Sequence, residues 1–250
     1  MPTPAACPSS QMEFLESLVQ AYRANGLWGE TDPAVPLPEG LERGSDAHLA
    51  FLALVYTISG GREPVSLWNA ARQTFAADPE LFEPKMLAYA KARDLLPRLD
   101  AYGLLKKAKT EAAVWQRVGQ ALVMRAGGSV KKLLRDNGND AGEMLAMLAR
   151  SKTVFPMLSG EQTALRWLHG LSAAGGQEIA RIDELPVPAS PAVMRAADGL
   201  RIEGNLVPAA LFDALDALGR LGCAQRKPSQ PLCPAAPACP VARFCAYGGK

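Results

Sequence analysis

Cys223-Ala-Gln-Arg-Lys-Pro-Ser-Gln-Pro-Leu-Cys233-Pro-Ala-Ala-Pro-Ala-Cys239-Pro-Val-Ala-Arg-Phe-Cys245 lies near the C-terminal end of a chain of 250 residues. Four of the five cysteines fall in this stretch, spaced C-x9-C-x5-C-x5-C. Its many prolines and scant apolar residues leave too little to bury against the entropy of ordering it, so something must bind the four sulfurs together. Disulfides are one answer. The N-terminus lacks the basic start and apolar run of a secretory signal, however, so the chain is expected to be cytoplasmic, where thiols stay reduced. Clustered cysteines there read as metal ligands. Four-cysteine zinc sites use close C-x2-4-C pairs, whereas the gaps here are nine, five and five. A [4Fe–4S] cluster gives each sulfur a different corner and accepts wider spacing. The cluster is the leading expectation, with zinc as the alternative.

The rest of the chain is ordinary in composition. Hydrophobic residues make up 48% and charged residues 21%, which fits a globular protein. The length allows one large domain or two small ones. A net charge of +2 neither demands nor excludes a polyanionic partner. No run approaches the ~20 apolar residues of a membrane span, so no membrane association is expected.

Periodicity points to an all-α protein. Ser10 is placed to cap a helix that reaches Asn25, with Gly26 at its end. Residues 1–9 carry no helical pattern, and Cys7 reads there as a free thiol. Ser45 is placed to cap a helix from Leu49 to Ile58 that is apolar almost all round and reads as the central buried element. Further helices are expected from Pro64, over 80–92, 93–103, 110–126, 129–136 and 140–150, and from Pro208 to Leu221. Lys106, Lys107 and Lys109, and again Arg125, Lys131, Lys132 and Arg135, read as solvated basic faces. In Phe155-Pro-Met-Leu-Ser159-Gly160-Glu-Gln162-Thr163-Ala164, a helix ends, the chain turns tightly at Ser-Gly and a helix begins. Such a turn aims backbone N–H groups outward, a geometry suited to phosphate, although the motif taken alone reads as an ordinary helix-helix connection. Leu185-Pro-Val-Pro-Ala-Ser190-Pro is extended, because each proline pushes its predecessor out of α space. A short helix over Pro191 to Ala197 follows.

Taken together, these parts resemble the endonuclease III superfamily, the helix-hairpin-helix DNA glycosylases with an iron–sulfur cluster. The similarity covers roughly residues 45–245. It rests on the helical domain, the hairpin, the Pro-Val-Pro segment and the four terminal cysteines, including the Cys-Pro-x-x-x-x-Cys ending at Cys239 to Cys245. The family spacing is C-x6-C-x2-C-x5-C; here the last gap matches and the first two are longer. The resemblance implies two lobes, a helical barrel over 40–172 ending in the hairpin and a cluster-bearing lobe of 1–39 with 173–250. Double-stranded DNA, intact or damaged, would lie in the groove between them and meet a monomer, in the cytoplasm or on a bacterial nucleoid. It further implies that Cys223, Cys233, Cys239 and Cys245 hold the cluster. Gly61, Arg62, Ser159, Gly160, Gln162, Thr163, Arg226 and Lys227 then fall at DNA-contacting positions.

The positions expected to carry chemistry depart from the family. The carboxylate position reads Ser190. The lysine position reads Gln162 or, without a gap, Ala164. The residue that fills the space of a flipped base reads Gly61, with Arg62 next to it. A serine hydroxyl is uncharged at neutral pH and cannot stabilise a developing sugar cation, and Gln162 has no amine for a Schiff base. No catalytic residue is assigned. The expectation is a DNA-binding protein with weak or absent glycosylase and lyase activity. The alternative is an active, divergent glycosylase that uses rearranged residues.

Overall fold

A computed structural model describes residues 9–25, 27–28, 37–60, 62, 64–202, 206–207 and 209–249. Cys7, Gly26, Gly61 and Pro208, all named above, lie outside the described residues. The described chain is helical, apart from one two-stranded antiparallel ladder of two residues per strand. It divides into two compact units, one of residues 33–185 and one of residues 1–32 with 186–250. Residues 173–185, expected in the cysteine-bearing lobe, therefore belong with the helical body. Ile179 and Ile182 explain this placement, since both are buried in the body's core.

Helix α1 (Ser9–Asn25) belongs to the smaller unit. The larger unit begins with α2 (Asp46–Thr57), capped by Ser45, whose Oγ accepts the His48 N–H. Leu49 to Val55 of α2 are all buried. This is the central helix expected from its sequence, and the others pack around it: α3 (Pro64–Ala77), α4 (Pro84–Tyr89), α5 (Ala92–Asp100), α6 (Ala108–Ala126), α7 (Val130–Asp136), α8 (Ala141–Arg150) and α9 (Glu161–Ala173). An aromatic chain runs through the core, with Phe51 and Phe82 centroids 5.0 Å apart and Phe82 edge-on to Trp115 at 5.3 Å. The Trp115 indole N–H donates to the Leu81 carbonyl at 2.6 Å, so its one polar atom is satisfied.

Residues 80–92 do not form the single helix expected. A 3-10 turn covers Pro79–Phe82, Glu83 is extended, and α4 starts at Pro84. Pro84 is the cause: its ring excludes α geometry at Glu83. The connection from α8 to α9 is not a tight Ser-Gly turn either. It spans residues 151–160 as successive turns, with Met157 at φ 67°. Pro156 cannot donate to a continuing helix, and buried Phe155 and Leu158 pin the turns to the core.

The smaller unit continues with β1 (Val187–Pro188), α10 (Pro191–Leu200), β2 (Leu206–Val207) and α11 (Ala209–Ala217). β1 pairs with β2, Val187 opposite Val207. Helix α10 runs three residues beyond the expected Ala197 and stops where Arg201 turns left-handed at φ 57°. Leu15, Leu18 and Val19 of α1 pack with Val193, Ala196 and Leu200 of α10 and Leu211 and Leu215 of α11. Gly219, just past α11, sits so close to α10 that a Cβ there would lie 1.9 Å from the Ala192 carbonyl oxygen. No helix among the described residues is long and apolar enough to cross a membrane.

Candidate metal centre

The cysteines are presented by repeated local structure. Helix α11 runs through a π turn over Leu218–Gly222 into a 3-10 turn that opens at Cys223. The Cys223 carbonyl then accepts the Arg226 N–H at 3.2 Å. The same closure follows each of the others: Cys233 accepts from Ala236 at 3.0 Å, Cys239 from Ala242 at 3.2 Å and Cys245 from Gly248 at 3.0 Å. Each thiol thus stands at the head of its own i to i+3 turn. The prolines fit this pattern, since a residue after Cys233 or Cys239 needs no N–H to close the turn. Two sulfurs also accept backbone N–H groups, Cys245 from Tyr247 at 3.5 Å and Cys239 from Val241.

Longer ties fix the loop as a whole. The Cys233 N–H donates to the Tyr247 carbonyl, and the Ala246 N–H to the Gly199 carbonyl, both at 2.8 Å. The Trp28 indole donates to the Ala238 carbonyl at 3.1 Å. The rings of Phe14 on α1 and Phe244 stand 3.8 Å apart, centroid to centroid. The N-terminal helix therefore packs against the cysteine loop.

All four thiols line one cavity of about 20 Å³, closed by apolar groups including Ala196, Leu200, Leu218 and Val241. Cys223, Cys233 and Cys245 also line a second recess of about 150 Å³, together with Arg195, Asp198, Arg226, Pro228 and Tyr247. Burial, reinforced by the neighbouring thiols Cys245, Cys239 and Cys233, pushes the Cys223 thiol up to about 11. Burial likewise pushes Cys239 up. Protons leave such thiols when a metal takes their place. Gly199 leaves room at the site, because a Cβ there would lie 3.0 Å from the Cys245 sulfur. Among the described residues no group of three or more His, Cys, Asp or Glu side chains closes on a single ion position. The donor set, four thiols around a void with N–H donors aimed at two sulfurs, fits a polynuclear iron–sulfur group whose corners each take one thiolate.

The cations expected to meet phosphate are placed unequally. The Lys227 side chain is exposed, and its backbone N–H is held by the Gln230 side chain at 3.0 Å. Arg226 turns the other way. Its guanidinium lies 3.6 Å above the Tyr247 ring centroid and donates to the Gln230 carbonyl at 3.1 Å. Tyr247 in turn donates its hydroxyl to Asp198 at 2.8 Å. Arg62 is also committed, donating to the Leu104 carbonyl at 2.7 Å and the Gly103 carbonyl at 3.1 Å beside Glu111. Filling the space of a displaced base would require breaking those bonds. In the larger unit, Gly160 caps α9, with Gln162 exposed in its first turn, Thr163 half-buried and the Ser159 N–H bonded back to the Phe155 carbonyl.

Sequence reading missed one carboxylate. The acids nearest Ser190 in sequence are Asp183, Glu184 and Asp198. In space, Ser190 Oγ donates to Asp216 on α11 at 2.7 Å, and the other Asp216 oxygen accepts from Arg220 Nε at 2.7 Å. Ser190 Oγ also accepts the Val193 N–H at 3.1 Å and so caps α10. A separation of 26 residues hides this pair from any local pattern. The helical rule would have linked only Asp216 with Arg220 four residues on.

No family model matches the chain, and no curated protein matches it significantly.

Proposed function

We propose that this chain is a DNA-binding protein whose C-terminal loop is shaped by a structural [4Fe–4S] cluster on Cys223, Cys233, Cys239 and Cys245. The observation that carries the reading is the convergence of all four thiols on one apolar cavity, each at the head of its own turn. Holding the cysteines fixes the nine-residue span between Cys223 and Cys233 at both ends and leaves Lys227 facing solvent. A cation so presented meets the phosphate backbone of a duplex without reading its sequence, and such contacts weaken with salt. Ser190 and Gln162 stand where the resembling family has its aspartate and lysine, which favours binding over base excision.

Anaerobic reconstitution with iron and sulfide tests the metal. A broad absorption near ~400 nm with matching iron and sulfide is expected, and retention of zinc alone would sink the cluster. Duplex binding tests the partner. Affinity should fall steeply with salt, and Lys227→Ala should reduce the slope of log K against log salt by about 1. Binding that ignores salt would end the DNA reading.

A second reading is favoured by the bond from Ser190 to Asp216. In it, Asp216 supplies the carboxylate that position 190 lacks, and the protein is a divergent glycosylase. Base release from duplexes carrying oxidised pyrimidines, uracil or mismatched adenine, abolished in Asp216→Asn, would establish it. Absence of release from all of them leaves the binding protein.

A further inference from the structure

Arg226 was expected to face phosphate, yet its guanidinium lies in the recess that Cys223, Cys233 and Cys245 line. Arg195, from α10, lines the same recess and reaches the Gly219 carbonyl at 3.4 Å. Among the described residues the recess holds one carboxylate, Asp198, which accepts the Tyr247 hydroxyl. The two guanidiniums therefore outnumber the acid there. Among the described residues the inner face of the thiol set has no charged group to answer this, being closed by alanine, leucine, valine and glycine. Charge from the described residues beside the three recess-facing sulfurs is thus net positive.

Four thiolates around an iron–sulfur core carry net negative charge, and the group gains one more negative charge when it accepts an electron. Fixed positive charge at short range favours the more negative state, and in a partly enclosed recess water screens it poorly. An ion pair with a mobile partner would do this unreliably. Arg226 is held instead by Tyr247 below and Gln230 beside it, with Tyr247 itself tied to Asp198 and, through its carbonyl, to the Cys233 N–H.

We infer that Arg195 and Arg226 are positioning residues for the four-cysteine centre, holding fixed positive charge against its outer face so that it is more readily reduced. Phosphate contact by the loop then falls to Lys227. This inference rests on the iron–sulfur reading above. Tyr247 is a platform in it, setting how far the Arg226 charge stands from the sulfurs.

The experiment is a potentiometric titration with dithionite, which supplies the electron that the centre accepts, followed by electron paramagnetic resonance. It uses the full chain after iron and sulfide analysis. Arg195→Gln and Arg226→Gln should each move the midpoint to a more negative potential, and the double variant further. Arg226→Lys, which keeps the charge, and Lys131→Gln, in the other unit, should stay near wild type. A loaded Arg226→Gln and a loaded Arg195→Gln with the wild-type midpoint would overturn the inference while leaving the cluster standing. A wild-type chain that takes up no iron and sulfide overturns both. If the glutamine variants fail to load, loading restored by lysine supports a role for charge, and loading absent with lysine as well overturns it.

Discussion

The two units solve the same problem by different means. The body, residues 33–185, buries a helix on all sides and fully encloses the large side chains of Trp115, Trp167, Phe51 and Phe155. The smaller unit has a fully buried core that is aliphatic among its described residues, with Phe14, Tyr22, Trp28 and Phe212 only partly covered. Its last 27 described residues, 223–249, contribute a single fully buried residue, Val241, to that core. In the first unit apolar area removed from water suffices. In the second, three of the four cysteines pack against the core, and under the proposed reading the loop depends on what those sulfurs bind. Two hydrophobic cores in one chain are therefore not equivalent, because one is closed by aromatic and aliphatic side chains and the other is bordered by thiols.

Withdrawing the proposed metal centre with oxidant and chelator should break this contrast most visibly. Amides of 223–249, among them those of Arg226, Cys233 and Gly248, should lose hydrogen-exchange protection completely, while α2 and α6 keep theirs. Equal loss in both units would show that they are not distinct in this sense. The next largest effect is expected from Trp115→Ala. It removes the centre of the aromatic chain and strands the Leu81 carbonyl, so urea unfolding of the body should register a loss of about 3–5 kcal/mol. Visible absorption of the loaded protein should persist in the folded variant.

Gly219→Ala probes the smaller unit without touching a thiol. Its Cβ cannot coexist with the Ala192 carbonyl, so α10 and the turn that delivers Cys223 must separate. A cost of about 1–3 kcal/mol is expected, read as faster loss of the centre to chelator. Unchanged retention would mean that the close approach does not set the cysteine geometry.

The smallest effect concerns pH and the body alone. Burial, and then Arg43, holds His48 below its ordinary value of 6.5, and burial does the same to His169. Nδ1 of His48 already accepts the Gly44 N–H, so a second proton would break that bond. The unfolded chain takes up these protons first as pH falls. Stability from both histidines is therefore full above about 6.5 and declines below it. A urea midpoint that drops from pH 7.5 to 5.5, less so in His48→Gln, is the expected result.

Much of the body was legible because its signals are local. Ser45 as a cap, the apolar run after it and the Gly127 stop of α6 each sit within a few residues of what they control. The split at Glu83 is local too, and the Pro84 rule predicts it once applied. In the smaller unit the residue types were legible and their directions were not. Nothing in Arg226-Lys227 says that one cation turns toward the sulfurs and the other toward solvent, because Tyr247, which decides it, lies 21 residues beyond Arg226. The partnership of Ser190 with Asp216 depends on how α10 crosses α11, a tertiary fact without a sequence period.

The four turns that head the cysteines have a consequence for how such a loop can change. Each turn closes on itself within three residues, so the direction of a thiol is written beside it and not in the distance to the next one. Residues inserted between turns lengthen the path and leave the sulfurs aimed as before. Gaps of nine and five thus become interchangeable with shorter ones, and the stretches between turns are free to acquire new surface, as the span bearing Lys227 shows. The centre is a set of independent joints, and spacing is its most expendable property.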